Sequence, residues 1–183
     1  MSKRVLVAVA DGTEELEAIA IIDCLRRAGA NLTVASVAKL GITTARKVKI
    51  VADCLISDCI NNSYDIIILP GGTKGAENLR DSKELVEMLK KQKDSPRFYA
   101  AICASPAVVL EHHGLLTDKK ATCFPALADK LSNKQAINQR VVVDGNCITS
   151  QGPGTALEFS LKLVELLFGR QKSEELAKVM LVK

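Results

Sequence analysis

Short β-branched runs alternate with longer stretches of helical periodicity along the whole chain, and this alternation restricts the possible folds more than any other feature. The strand-like runs fall at residues 4–10, 32–37, 65–69, 97–102 and 140–150, the last divided by Asp144-Gly145-Asn146. Helical patterns occupy 13–28, 82–93, 104–113, 155–168 and 172–180, three of them stopped by Gly29, Gly114 and Gly169. Such alternation predicts an α/β fold with a doubly wound, mainly parallel sheet and helices on both faces. The divided run predicts one β-hairpin. Residues 5–10 and 66–69 are apolar on both faces, as in central strands covered from two sides.

A length of 183 residues without linker, repeat or low-complexity stretch reads as one domain over residues 1–183. With 48% hydrophobic and 25% charged residues, the chain is neither disordered nor a small disulfide scaffold. Its apolar runs fall far short of the roughly 20 residues of a membrane helix. The Lys3-Arg4 start resembles a signal peptide, but the apolar run ends at Asp11-Gly12-Thr13-Glu14-Glu15 without a small-residue cleavage site, so it reads as a first strand. The net charge of +4 is spread out and there are few aromatic residues, which argues against a nucleic-acid partner. Six cysteines show no CxxC spacing and are expected as free thiols in a reducing, cytoplasmic setting. Two adjacent histidines, His112 and His113, make a metal site improbable on ligand count alone.

In open parallel sheets, chemistry gathers where strands end at their carboxyl side. The segment 97–106 runs from strand into helix with Cys103 at the turn and small residues around it, the pattern of a nucleophile elbow. A helix start there favours thiolate over thiol, although a small cysteine buried between strand and helix would leave the same trace. For Cys24, Cys54, Cys59, Cys123 and Cys147 the buried reading is preferred. His112 lies nine residues further on, about 13 Å along a helix axis, so a local Cys-His dyad is excluded. Glu17 shares a helical stripe with Thr13, Ala20, Ile21, Cys24 and Ala28 and is expected to point inward, protonated, as a hydrogen-bond donor and proton shuttle. Glu14 and Glu15 are expected only to complement the helix dipole. Gly71 and Gly72 allow the backbone to approach a bound atom, and the Gly72 and Ala104 amides could form an oxyanion hole. A phosphate-binding role for that turn lacks GxGxxG or Walker spacing. The turn at 152–154 reads equally as a helix launch or a pocket wall.

Five ordered motifs, Glu14-Glu15-Leu16-Glu17, Arg26-Arg27-Ala28-Gly29, Leu69-Pro70-Gly71-Gly72, Ala100-Ala101-Ile102-Cys103-Ala104 and 149–155, cover essentially the whole chain. Together they resemble the Parkinsonism-associated deglycase family of the ThiJ/PfpI superfamily, near its bacterial chaperone-like members. The resemblance implies a flavodoxin-like homodimer whose reactive cysteine, here Cys103, oxidises to a sulfinate held by a protonated glutamate, here Glu17. It implies cofactor-free conversion of methylglyoxal to lactate, removal of early glyoxal adducts from amines and thiols, oxidative-stress protection and chaperone activity. It also implies that Arg46 and the Pro153 turn lie near the partner subunit's pocket.

Two departures bear on mechanism. Some members carry a histidine before a proline near the cysteine, where this chain has Phe124-Pro125, leaving Glu17 as the visible acid/base. The related intracellular proteases have His directly after the nucleophile, where Ala104 stands, and an amidotransferase triad lacks its histidine; covalent amide chemistry needs such a base. The expected function is therefore a glyoxalase or deglycase acting on α-oxoaldehydes and their adducts without metal or organic cofactor. The alternative is a redox sensor or holdase signalling through Cys103.

Overall fold

A computed structural model describes residues 2–182 of the chain. In chain order the elements are β1 (Arg4–Val9), α1 (Glu15–Arg27), β2 (Asn31–Ser36), β3 (Gly41–Thr43), β4 (Lys49–Val51), β5 (Cys54–Leu55), β6 (Ile66–Leu69), α2 (Thr73–Arg80), α3 (Lys83–Lys93) and β7 (Phe98–Ile102). A π-helix (Pro106–Glu111) follows, then β8 (Val141–Asp144), β9 (Cys147–Ser150), α4 (Ala156–Phe168) and α5 (Arg170–Val179). Short 3-10 turns cover Ile56–Cys59, Pro125–Lys130 and Pro153–Thr155.

Seven strands form one sheet in the order β5-β2-β1-β6-β7-β9-β8, parallel throughout except where β8 runs against β9. Its centre has the 2-1-3-4-5 order of flavodoxin-like folds, with a switch point between β1 and β6. α1, α4 and α5 pack together on one face, and α2, α3 and the π-helix cover the other. This is the right-handed outcome of crossovers leaving β1 in one direction and β6 in the other. Val5–Val9 and Ile66–Leu69 are completely buried, as continuous apolar runs between two helical layers must be. No helix among the described residues is long and apolar enough to cross a membrane.

Outside 104–113 the expected elements are present, with boundaries shifted by a residue or two. α1 is stopped by Gly29 (φ 91), two residues past its end, whose left-handed conformation lets Ala30 N–H reach back to the Leu25 carbonyl. Ser82 caps α3 by accepting a hydrogen bond from Leu85 N. The hairpin at 141–150 turns through Gly145 and Asn146. The structure adds a second, separate hairpin, β3–β4, and the helix α2. α2 escapes sequence reading because Gly75 interrupts its pattern. That glycine is required by close approach, since a Cβ there would lie 2.6 Å from Thr13 N. The stretch expected as an ordinary helix over 104–113 is instead π-helical over Pro106–Glu111. Residues 104–110 are all buried, so no exposed stripe reveals the period.

Candidate active site

The carboxyl ends of β1, β6 and β7 meet at the switch point, and each supplies part of one site. Beyond β1, Glu14 stands at the cap of α1, and its N–H donates to the Gly71 carbonyl (2.9 Å). In return Gly71 N–H donates to Glu17 Oε2 (2.7 Å). The start of α1 and the turn after β6 are thereby locked in register, and Glu17 points inward with no exposed surface. Gly72 has φ 83, and a Cβ there would fall 2.2 Å from the Gly12 carbonyl oxygen, so only glycine fits on both counts.

Beyond β7, Cys103 takes φ 65, a strained value for a residue with a side chain and the mark of a nucleophile elbow. Three contacts over-determine it. Cys103 N–H donates to Ser150 O (3.0 Å), Phe124 N–H donates to Cys103 O (2.7 Å), and Ser105 Oγ donates to Pro70 O (2.6 Å) from a fully buried position. A point one Cβ bond from Gly71 would sit 2.9 Å from Glu17 Oε2 and 3.0 Å from Cys103 Sγ, so the carboxyl and the thiol flank the same bare backbone.

The charges of this pair are coupled. Burial raises the Glu17 carboxyl from its ordinary value to about 7, against the opposing pull of the Gly71 amide and Cys103. Burial likewise pushes the Cys103 thiol up to about 12, and the Glu17 charge adds to the rise. The Gly72 and Ala104 amides face the sulfur and pull the other way. The thiolate-favouring helix end expected from sequence is thus outweighed by desolvation while Glu17 is ionised. A proton on Glu17 removes that repulsion and supplies a donor to the sulfur. Glu17 Oε1 is buried and has no hydrogen-bond partner, so the pair holds an unused position for such a donor or acceptor.

Cys103, 8% exposed, opens onto a cavity of about 350 Å³ whose walls include Arg46, Gly72, Ala104, Phe124 and Pro153. The structure therefore brings Cys103, Glu17, Gly71, Gly72 and Ala104 together and sets Arg46, Phe124 and Pro153 around them. Within one chain Arg46 and Pro153 line the chain's own cavity, whereas the resemblance refers them to a partner's pocket. His113 is engaged elsewhere, its Nε2 2.8 Å from the Arg80 carbonyl. Among the described residues no three His, Cys, Asp or Glu side chains converge as metal ligands.

Sequence reasoning missed Ser105 and Glu15. Ser105 fastens the elbow to the Pro70 turn; its signal is a small polar residue just before the helix-starting Pro106. Glu15 does more than complement a dipole, because its Oε2 accepts from Arg46 N–H (3.1 Å) and so positions a cavity-wall residue. Burial works to raise its carboxyl, but its own amide and that of Arg46 outweigh this and hold it below the ordinary value.

A family model described as the DJ-1/PfpI family matches residues 3–166. The chain is 56% identical to "Protein DJ-1 homolog B" of Arabidopsis thaliana over 98% of its own length, and spans 41% of that relative's length. It is 37% identical to "Glutathione-independent glyoxalase DJR-1.2" of Caenorhabditis elegans, covering 92% of this chain and 90% of that protein. Among solved structures it is similar to "Toxoplasma gondii DJ-1, oxidized", with 46% identity, 98% of each chain covered and a TM-score of 0.96.

Proposed function

Because the chain belongs to the DJ-1/PfpI family, we propose that it is a cysteine-dependent, cofactor-free glyoxalase acting on methylglyoxal-type α-oxoaldehydes. Early adducts of such aldehydes on amines and thiols are further, deglycase-type substrates in this reading, and oxidative-stress protection is its context. The observation that carries it is the convergence of an elbow cysteine, a buried carboxyl and two inward amides on one cavity. The nematode relative named as a glutathione-independent glyoxalase supports the reaction class.

The proposed cycle balances without a cofactor. Cys103 Sγ adds to the aldehyde carbon as its proton passes to Glu17, which then protonates the aldehyde oxygen to give a hemithioacetal. The Gly72 and Ala104 amides hold the negative charge that develops on that oxygen. Glu17, again a carboxylate, removes the carbon-bound proton to form an enediolate and returns it to the neighbouring carbon, while the hydroxyl proton passes from the first oxygen to the neighbouring one, leaving a thioester of lactate. Water cleaves the thioester, releasing lactate and the thiol. A carboxyl near 7 suits both halves of this proton traffic at neutral pH.

The test is steady-state lactate formation from methylglyoxal by wild type and Cys103→Ser, with buffer-catalysed loss subtracted. Turnover abolished by the substitution supports the enzyme; equal background rates remove it. One observation favours a second reading, a redox sensor or chaperone switched by Cys103 oxidation: the unpartnered, buried Glu17 Oε1 could donate a proton to a sulfinate oxygen. Equal background rates together with a Cys103 sulfinate would support that reading.

A homodimer is part of the proposal. Leu16 (53% exposed) and Ile19 (49%) lie one turn apart on α1, and Val51 (76%) stands out on β4, so each chain leaves sizeable apolar side chains in water. A reducing, cytoplasmic compartment suits six free thiols.

A further inference from the structure

Cys54 and Cys59 lie far from Cys103 in the fold and have no part in the proposed cycle. β5, the two-residue strand holding Cys54, is the outer edge of the seven-stranded sheet, and the 3-10 turn Ile56–Cys59 follows it at once. The turn folds the chain back so that Cys54 Sγ and Cys59 Sγ are 3.5 Å apart, the only thiol–thiol contact among the described residues. Two anchors fix it: Leu55 N–H donates to Asp58 Oδ2 (3.1 Å), and Ile56 is buried. Val34 N–H donates to Asp53 Oδ2 (2.8 Å), which ties the strand's approach to β2. Cys59 is buried, while Cys54 is partly exposed at the sheet edge. One sulfur can therefore be reached from solvent, and the other waits behind it.

We propose that Cys54 and Cys59 form a second redox site, a dithiol that a hydroperoxide closes to a disulfide and a dithiol reductant reopens. Cys54, as thiolate, attacks one peroxide oxygen; the O–O bond breaks, leaving a sulfenic acid on Cys54, and the departing oxygen takes up the proton the thiol released to leave as an alcohol, or as water from hydrogen peroxide. Cys59 sulfur then attacks Cys54 sulfur, the S–S bond forms and the sulfenic oxygen leaves as water. Two thiols are thus oxidised by two electrons as one hydroperoxide is reduced. In the reverse direction two thiols of the reductant become its disulfide. Closure brings the sulfurs from 3.5 Å to a bond of about 2.05 Å, a movement within reach of side-chain rotation on a two-residue edge strand. Burial holds the Cys54 thiol above its ordinary value and the adjoining Cys59 reinforces this, so closure proceeds through a small thiolate fraction, as oxidation of the equally raised Cys103 does. Only four residues lie between the pair, so the crosslink constrains the unfolded chain little and its reduction is not strongly opposed. A disulfide here also withholds Cys54 from irreversible over-oxidation.

Both cysteines fall in the single tryptic peptide 50–74, which makes the test direct. Wild type and Cys103→Ser, folded, are treated with graded hydrogen peroxide, then denatured, alkylated, digested and analysed by mass spectrometry. The expected result is a peptide two hydrogens lighter that carries no alkyl label and regains two labels after dithiothreitol. It should appear equally with and without Cys103, and be lost completely in Cys59→Ala and in Cys54→Ser. Two labels retained at doses that fully oxidise Cys103 would overturn the proposal, as would sulfinate or sulfonate on Cys54 in place of the lighter peptide. If either variant fails to fold, the comparison of wild type with Cys103→Ser still decides between these outcomes.

Discussion

Glu17 is fully buried and keeps its proton up to about pH 7, whereas in the unfolded chain it ionises near 4.5. Between those values the folded state binds more protons than the unfolded one, so stability falls as pH rises through the window and is level above it. The loss is on the order of 3 kcal/mol at full ionisation. Glu17→Gln should flatten this dependence and make the variant the more stable protein above neutral pH; urea denaturation at about pH 5 and about pH 8 would show whether it does. The same substitution separates chemistry from packing. Gln keeps the size and can still accept from Gly71 and donate to sulfur, but cannot move a proton, so turnover should vanish while Cys103 oxidation persists. Glu17→Asp retains the acid at greater distance and should keep part of the turnover with a less stable sulfinate. Full turnover in the Gln variant would remove Glu17 from the mechanism. At Cys103 itself, burial does not distinguish it, since Cys24, Cys123 and Cys147 are also pushed to about 11 or 12. The facing amides, the Glu17 proton and the opening onto the cavity do. Mass spectrometry after mild peroxide should therefore find sulfinate mainly on Cys103; uniform modification would contradict this.

At the scale of elements, the site depends on two turns being pressed together. Gly72→Ala places a side chain at φ 83 and against the Gly12 carbonyl. The left-handed conformation alone costs about 1–2 kcal/mol, and displacement of the Gly12 backbone adds to it. The urea midpoint should drop clearly and turnover should fall with it, because the amide facing Cys103 moves; an unchanged midpoint would mean that the turn is slack. Ser105→Ala frees the buried Pro70 carbonyl and should cost about 1–3 kcal/mol. If the Ser105 contact positions the elbow, kcat should fall more than KM rises. The strands and longer helices around these turns were legible from sequence, since their apolar periods directly record which faces are covered. α2 and the π-helix were not, because Gly75 and an all-buried segment leave no period to read.

For the whole molecule, association is the property still to be measured. Sedimentation equilibrium at micromolar concentration should return twice the 19.7 kDa chain mass. If Leu16, Ile19 and Val51 are the covered residues, Leu16→Lys should shift the equilibrium toward monomer; a wild-type monomer would refute the dimer outright. Sequence by itself determined the class of fold, the elbow at Cys103, the inward face that holds Glu17 and the need for small residues at 71–72. Each is a local consequence of period, turn geometry or side-chain size. Only the tertiary structure decided that Glu17 and Cys103 flank Gly71, that desolvation opposes the helix end at the thiol, that Glu15 holds Arg46 and that Cys54 touches Cys59. These depend on distances between segments remote in sequence, or on the folding back of an edge strand, and on how much water each group loses. No periodicity along the chain records such quantities.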